Sequence, residues 1–194
     1  MMILAPAWAM ASAISRPIPP PDPVTTTVVG TPDPGAFWRV IAEHQCVAMF
    51  TAPTAFRAIK KEDPQGKFFT QYDLKRFRAL FLAGERADPD TLTWAENLLK
   101  KPVIDHWWQT ETGWAIAGNP LGLGQLPVKH GSSTVAMPGY DVRVVDETCK
   151  EMPANTLGSI VVKLPLPPGC LPTLWQQDDG FKQTYLAEFP GYYK

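Results

Sequence analysis

Charge is scarce in this sequence and evenly divided, with Lys and Arg totalling 18, Asp and Glu totalling 19, and a net charge of -1. That balance supplies no basic surface for nucleic acid or an anionic membrane. Cysteine is equally thin. Cys46, Cys149 and Cys170 are odd in number, far apart and without a CxxC pair, which argues against a metal site or disulfide framework and for a reducing compartment. The three histidines, His44, His106 and His130, stand isolated and offer no ligand set. No run approaches the roughly 18 apolar residues that a membrane span needs.

What the chain has is apolar material and proline. Hydrophobic residues make up 45%, enough for a core, and the 194 residues suit one domain or a little more. The 21 prolines gather toward the ends, at Pro17, Pro19, Pro20, Pro21 and Pro23, and again at Pro165, Pro167, Pro168 and Pro172. The first cluster can neither continue a helix nor lie in a central strand. Residues 1–29 therefore read as a leader, disordered or foreign, rather than as part of the fold. One Arg and no acid before Asp22 give it a faint transit-peptide character, which a stretch with no targeting role would show equally well.

From Thr31 the pattern changes. Asp33-Pro34 starts a helix, with Phe37, Val40, Ile41 and His44 at helical spacing. Residues 47–51 are an apolar run of buried-strand length. Pro53 opens a second helix through Phe56 and Ile59, closing near Lys60-Lys61, where cations suit a helix C-terminus. The unit repeats: a strand over 77–83 ends in Gly84-Glu85-Arg86, Asp88-Pro89-Asp90 caps a third helix, and a strand covers 102–107. Strands alternating with helices imply a parallel sheet with flanking helices, an α/β fold. After Gly113 the chain becomes glycine-rich loop, then two period-two strands over 140–146 and 159–164, an appended antiparallel sheet. Trp38 and Trp94 lie on apolar helix faces as packing residues, and Cys46 reads as a core thiol.

In open parallel sheets, ligands bind beyond the carboxyl ends of the strands. Those ends are Thr51-Ala52-Pro53, Gly84-Glu85-Arg86 and the stretch from Trp107 to Gly113. The last contains two tryptophans, a hydroxyl, a carboxylate and a glycine. A Thr-Glu pair there can set a hydroxyl against a phosphate oxygen and a carboxylate on a bridging Mg²⁺. The residues alone leave open whether the tryptophans are core or pocket wall, and whether Glu85 is a ligand or a satisfied loop carboxylate.

Asp105-His106-Trp107-Trp108-Gln109-Thr110-Glu111-Thr112-Gly113 closely resembles the Asp-Thr-Trp-Trp-Gln-Thr-Glu-Thr-Gly signature of acetyl-CoA synthetase-like enzymes, the short-chain branch of the AMP-dependent, adenylate-forming superfamily. Phe50-Thr51-Ala52-Pro53-Thr54-Ala55-Phe56-Arg57-Ala58, Gly84-Glu85-Arg86, Gly139-Tyr140-Asp141-Val142-Arg143 and Asp179-Gly180-Phe181-Lys182-Gln183-Thr184-Tyr185 resemble further segments of that family in the same order. The likeness spans about residues 30–194 and is strongest to propionate-preferring, mitochondrial members.

The resemblance implies part of an adenylate-forming large domain and a two-step ligase. ATP and a short carboxylate (propionate or acetate) give acyl-AMP and pyrophosphate, and coenzyme A then displaces AMP. By the same resemblance, Gly84, Glu85 and Arg86 line the adenine side. Asp105, His106, Trp107, Trp108, Gln109 and Thr110 form the second nucleotide-binding stretch. Thr110 and Glu111 are the catalytic pair, with Thr110 on the phosphate and Glu111 associated with Mg²⁺. Trp108 closes the acyl pocket, and Ala83 leaves it room for one more carbon.

The departures from the family carry expectations of their own. Nothing in residues 1–29 resembles the phosphate loop. The chain stops at Gly191-Tyr192-Tyr193-Lys194, where the family continues into Thr-Gly-Asp and a C-terminal domain with a catalytic lysine. The expectation is a fragment that is inactive alone, located in the mitochondrial matrix by resemblance, or cytosolic if its leader does not target. The alternative is a non-enzymatic nucleotide-binding or interaction protein, self-associating through an exposed cut face.

Overall fold

The computed structural model describes residues 33–194. The prolines of the leader lie outside the described residues. Helix α1 (Ala36–Glu43), strand β1 (Ala48–Thr51), helix α2 (Pro53–Glu62), strand β2 (Ala79–Leu82), helix α3 (Pro89–Leu99) and strand β3 (Val103–Asp105) follow in chain order. The three strands form a parallel sheet in the order β1-β2-β3, as the strand–helix alternation predicts.

Local chemistry sets the helix starts. Proline occupies the first turn of both α2 and α3, where its missing N–H costs nothing. Asp88 caps α3 by accepting from the Thr91 amide at 2.8 Å. Lys100, in the left-handed conformation, ends the same helix. A short 3₁₀ turn over Phe69–Gln71 lies between α2 and β2.

Period two decides which strand residues meet the helices. Met49, Leu80, Leu82 and Val103 face one way and join Trp38 and Ile41 of α1, Phe56 and Ile59 of α2, and Leu92, Ala95 and Leu99 of α3 in the main core. Trp38 is wholly buried and takes Phe56 and Phe69 edge-on at 5.9 and 5.4 Å. Trp94 is only partly buried and donates from Nε1 to the Pro64 carbonyl at 2.8 Å. Cys46 packs partly buried against this core.

One sequence expectation fails here. The run at 47–51 was to be a buried strand, yet Val47 is 46% and Phe50 55% exposed. The strand lies at the sheet edge, and all three helices cover the opposite face. Apolar content alone cannot distinguish a central strand from an edge one.

Beyond β3 the chain changes sheets. Strands β4 (Trp107–Trp108), β5 (Ala115–Gly118) and β6 (Val135–Ala136) form an antiparallel sheet. Strands β7 (Val142–Val145) and β8 (Ser159–Lys163) pair antiparallel, and β8 then takes β9 (Tyr192–Tyr193) on its other side. Helix α4 (Asp178–Tyr185) runs between β8 and β9. The glycine-rich stretch after Gly113 was expected to be loop, and strands β5 and β6 lie within it. Ala-Ile-Ala-Gly has little β propensity and becomes a strand through pairing with β4 and β6. No helix among the described residues is long and apolar enough to cross a membrane.

Candidate functional site

Beyond the ends of β2 and β4 opens a cavity of about 390 Å³, lined by Gly84, Trp108, Gln109, Thr110, Glu111, Tyr185 and Lys194. Five of these seven are residues that the sequence singles out. They come from two separated segments, the turn after β2 and the loop after β4.

The two tryptophans divide their work as strand neighbours do. Trp107 packs with Ile116, Val162 and Tyr193 in a second core cluster. Trp108 points the other way, into the cavity and edge-on to Phe50 at 5.9 Å. The alternatives that the residues left open, core or pocket wall, are both realised, one by each indole.

The loop after Trp108 is fixed by its own backbone. The Thr112 hydroxyl, in a residue only 2% exposed, accepts from the Gln109 amide at 3.1 Å and lies 2.9 and 2.8 Å from the Gln109 and Trp114 carbonyls, to which it donates in turn. The amides of Thr112 and Gly113 both donate to the Gln109 carbonyl, with Gly113 in the left-handed conformation that glycine permits at φ 62°. Leu171 donates its amide to the Glu111 carbonyl at 2.7 Å.

Two tyrosines hold the side chains of this loop. The Tyr185 hydroxyl donates to Glu111 Oε1 at 2.8 Å and the Tyr193 hydroxyl to Gln109 Oε1 at 2.7 Å. Their rings stack at 5.5 Å, with 6° between planes. The hydrogen bond to Glu111 raises the Tyr185 phenol above its ordinary value. Burial, followed by the charge of Glu111, raises Tyr193 as well. The Lys194 ammonium pairs with Glu188 and sits 5.2 Å from the Phe189 ring centre.

The remaining sequence candidates lie around the cavity rather than on it. Ala83 is buried at the end of β2, its amide donating to the Thr51 carbonyl at 3.2 Å. Glu85 turns toward α2, meeting Thr54 and Arg57, while Arg86 is exposed. The Thr54 hydroxyl and amide and the nearby Arg57 hold the Glu85 carboxyl below the usual range. Asp105 is half-buried, and burial raises its carboxyl. His106 meets Phe50 at a tilt and Phe81 edge-on, at 5.0 and 6.0 Å, with a buried Nδ1 that has no partner among the described residues. Burial lowers its imidazole below the ordinary value.

Tyr185 and Lys194 line the cavity without having been singled out. Tyr185 lies in a segment that carries the family resemblance, so the sequence points to the neighbourhood but not to the side chain. No group of three or more His, Cys, Asp or Glu among the described residues could hold a metal ion. Glu111 is the cavity's one lining carboxylate, which suits an ion shared with a bound phosphate rather than one caged by protein.

Known proteins resemble this chain in sequence and in fold. A family model described as AMP-binding enzyme matches residues 24–167. Over 166 residues the chain is 51% identical to the mitochondrial acyl-CoA synthetase short-chain family member 3 of Homo sapiens, covering 85% of this chain and 24% of that protein. It is 42% identical over 159 residues to a propionate–CoA ligase of Escherichia coli K12, covering 81% of this chain and 25% of that one. A crystal structure of an anthranilate CoA ligase in complex with anthranoyl-AMP superposes with a TM-score of 0.64 at 22% identity, over 82% of this chain and 31% of its own. The chain thus spans about a quarter of the length of the curated relatives it matches. On the strength of the family match and the shared fold, this chain belongs to the AMP-binding enzyme family.

Proposed function

We propose that residues 30–194 are part of an adenylate-forming large domain, contributing the adenine side and the acyl wall of a short-chain acyl-CoA ligase site. In the reaction, a carboxylate oxygen of propionate or acetate attacks the α-phosphorus of ATP and pyrophosphate leaves. The thiol of coenzyme A then attacks the acyl carbon and AMP departs. The observation that carries this reading is the cavity that joins Gly84 to Trp108, Gln109, Thr110 and Glu111.

Gly84, with Glu85 and Arg86 behind it in the turn, forms the adenine side, and Trp108, Gln109 and Thr110 of the 105–110 stretch form the second nucleotide wall. The Thr110 hydroxyl, on the cavity, is suited to donate to a phosphate oxygen. Glu111 is the residue that would hold Mg²⁺ together with that phosphate, and the ion would neutralise charge developing on the phosphoryl oxygens. Trp108 closes the acyl end, where an indole excludes long chains, and the small Ala83 behind the turn leaves room for a third carbon. Similarity to mitochondrial relatives supports a place in the mitochondrial matrix.

Val47 and Phe50, exposed at the edge strand, favour a second reading in which this chain binds nucleotide without turnover and associates with itself through that edge.

Titration of the purified chain with AMP, followed by calorimetry and by tryptophan fluorescence, tests the site. The expected result is saturable binding, weakened roughly tenfold by Thr110→Ala through the loss of a charge-assisted hydrogen bond to phosphate, about 1.5 kcal/mol. A cooperatively melting chain that binds no adenine nucleotide would sink the proposal. Light scattering across a dilution series decides the second reading, which predicts a concentration-dependent mass.

A further inference from the structure

The turn after β2 is held from the side by another element. Gly84 leaves the strand at φ 98°, and the next residues reach across to the start of α2. The Thr54 amide donates to Glu85 Oε1 at 2.8 Å, and the Thr54 hydroxyl donates to the same oxygen. The other carboxylate oxygen, Oε2, meets Arg57 Nη2 at 2.7 Å. Arg57 Nη2 also donates to the Thr54 hydroxyl at 3.1 Å, and Nη1 to Asp88 Oδ2 at 3.1 Å. Asp88 is the N-cap of α3. One guanidinium thus clasps both ends of the 85–88 segment.

Both oxygens of Glu85 are therefore engaged on the α2 side. The residue of the turn that lines the cavity is Gly84, with no side chain to interpose. We infer that Arg57 is a positioning residue of the nucleotide site. Through Glu85 and Asp88 it sets the backbone of the Gly84-Glu85-Arg86 turn against the base of an adenine nucleotide, and the Glu85 carboxylate serves the turn rather than the ligand. This rests on the reading of the cavity as a nucleotide pocket.

The chemistry favours arginine specifically. A planar fork can meet two carboxylates and a hydroxyl at once, whereas an ammonium is a single point on a flexible stem. The Arg57, Glu85 and Asp88 side chains are all more than a third exposed. Exposed pairs add little to stability, so the effect of Arg57 falls on the geometry of the turn and not on the melt.

The test compares the unaltered 194-residue chain with Arg57→Ala, Arg57→Lys and a control, Lys75→Ala, which breaks the exposed Lys75–Asp73 pair. Two quantities are read: AMP affinity by calorimetry, and hydrogen exchange at the Thr54 and Thr91 amides, which donate to Glu85 and Asp88 at the two ends of the turn. Arg57→Ala is expected to speed exchange at these anchors and weaken AMP binding, each roughly tenfold. Arg57→Lys should fall between, the control should match the unaltered chain, and all melting temperatures should stay within a few degrees. Unaltered exchange at both anchors, or AMP affinity untouched by Arg57→Ala, overturns the inference. A folded unaltered chain that binds no AMP refutes the nucleotide pocket instead. The exchange data then judge the clasp alone, faster exchange upholding it and equal exchange removing it. If Arg57→Ala does not fold, Arg57→Lys carries the same comparison.

Discussion

Tyr193 illustrates what a single side chain contributes to this site. It is only 2% exposed, its ring stacks on Tyr185, and its hydroxyl is the donor to Gln109. Tyr193→Phe keeps the stack and removes the donor, leaving the Gln109 oxygen unpaired. The expected loss is about 1 kcal/mol in a urea melt, and an unchanged midpoint would refute this role for the hydroxyl. Residues contiguous with the signature, Trp108 through Glu111, were legible in the sequence because one short loop holds them all. Tyr193 was not, since its partner lies 84 positions away. Asp88 was legible for the opposite reason: a cap acts within three residues.

Among the elements, the parallel strands and their helices were readable because apolar period and proline placement act locally. The two expectations that failed, a buried strand over 47–51 and a loop after Gly113, failed where position in the sheet and strand pairing rather than composition make the element. Helix α4, which buries only Phe181 and carries a glycine, and β9, two residues long and dependent on its bonds to β8, gave no signal to read. The β7–β8 pair makes a sharper claim. A methyl group added at Gly158 would lie 2.7 Å from the Val145 carbonyl oxygen and 2.8 Å from a Val144 methyl. The carbonyl oxygen cannot retreat without disturbing the pairing of Val145 with Ser159. Gly158→Ala is expected to cost about 1–3 kcal/mol, read from the urea midpoint. A neutral result would show that the strand ends yield.

At the scale of the whole molecule, the displaced titrations set a pH window. Glu85, held by Thr54, Asp141, held by Arg143, and Asp146, held by Thr148, all lie below the usual carboxylate range. Burial raises Asp88, but the Thr91 amide and hydroxyl and Arg57 outweigh it and bring it to about 2. A lowered group is harder to protonate folded than unfolded. These carboxylates therefore contribute fully above about pH 4 and lose that contribution as pH falls toward their folded values. His106, lowered by burial, acts in the same direction, its contribution fading below about pH 6.5. Asp105, raised by burial, opposes the trend. Burial raises Tyr140 and Tyr193, and Glu111 raises Tyr185, so their contribution is complete below about pH 10 and fades as pH climbs through the raised values. Urea midpoints should therefore plateau between roughly pH 7 and 10 and fall on both sides. A midpoint higher at pH 4 than at pH 8 would contradict these assignments.

The crossing from β3 to β4 has a consequence for how this chain can change in length. The His106 amide still bonds to the Leu82 carbonyl of the parallel sheet, while Trp107, one residue on, pairs with Ala117 of the antiparallel one. The register against β5 slips between Trp107 and Trp108, and at this bulge the two indoles part, one into the core and the other to the cavity. The length of the crossing is thus fixed on two sides, by the bond to Leu82 behind it and by the bulge ahead, and a residue inserted or deleted between Asp105 and Trp107 would have to be absorbed at one of them.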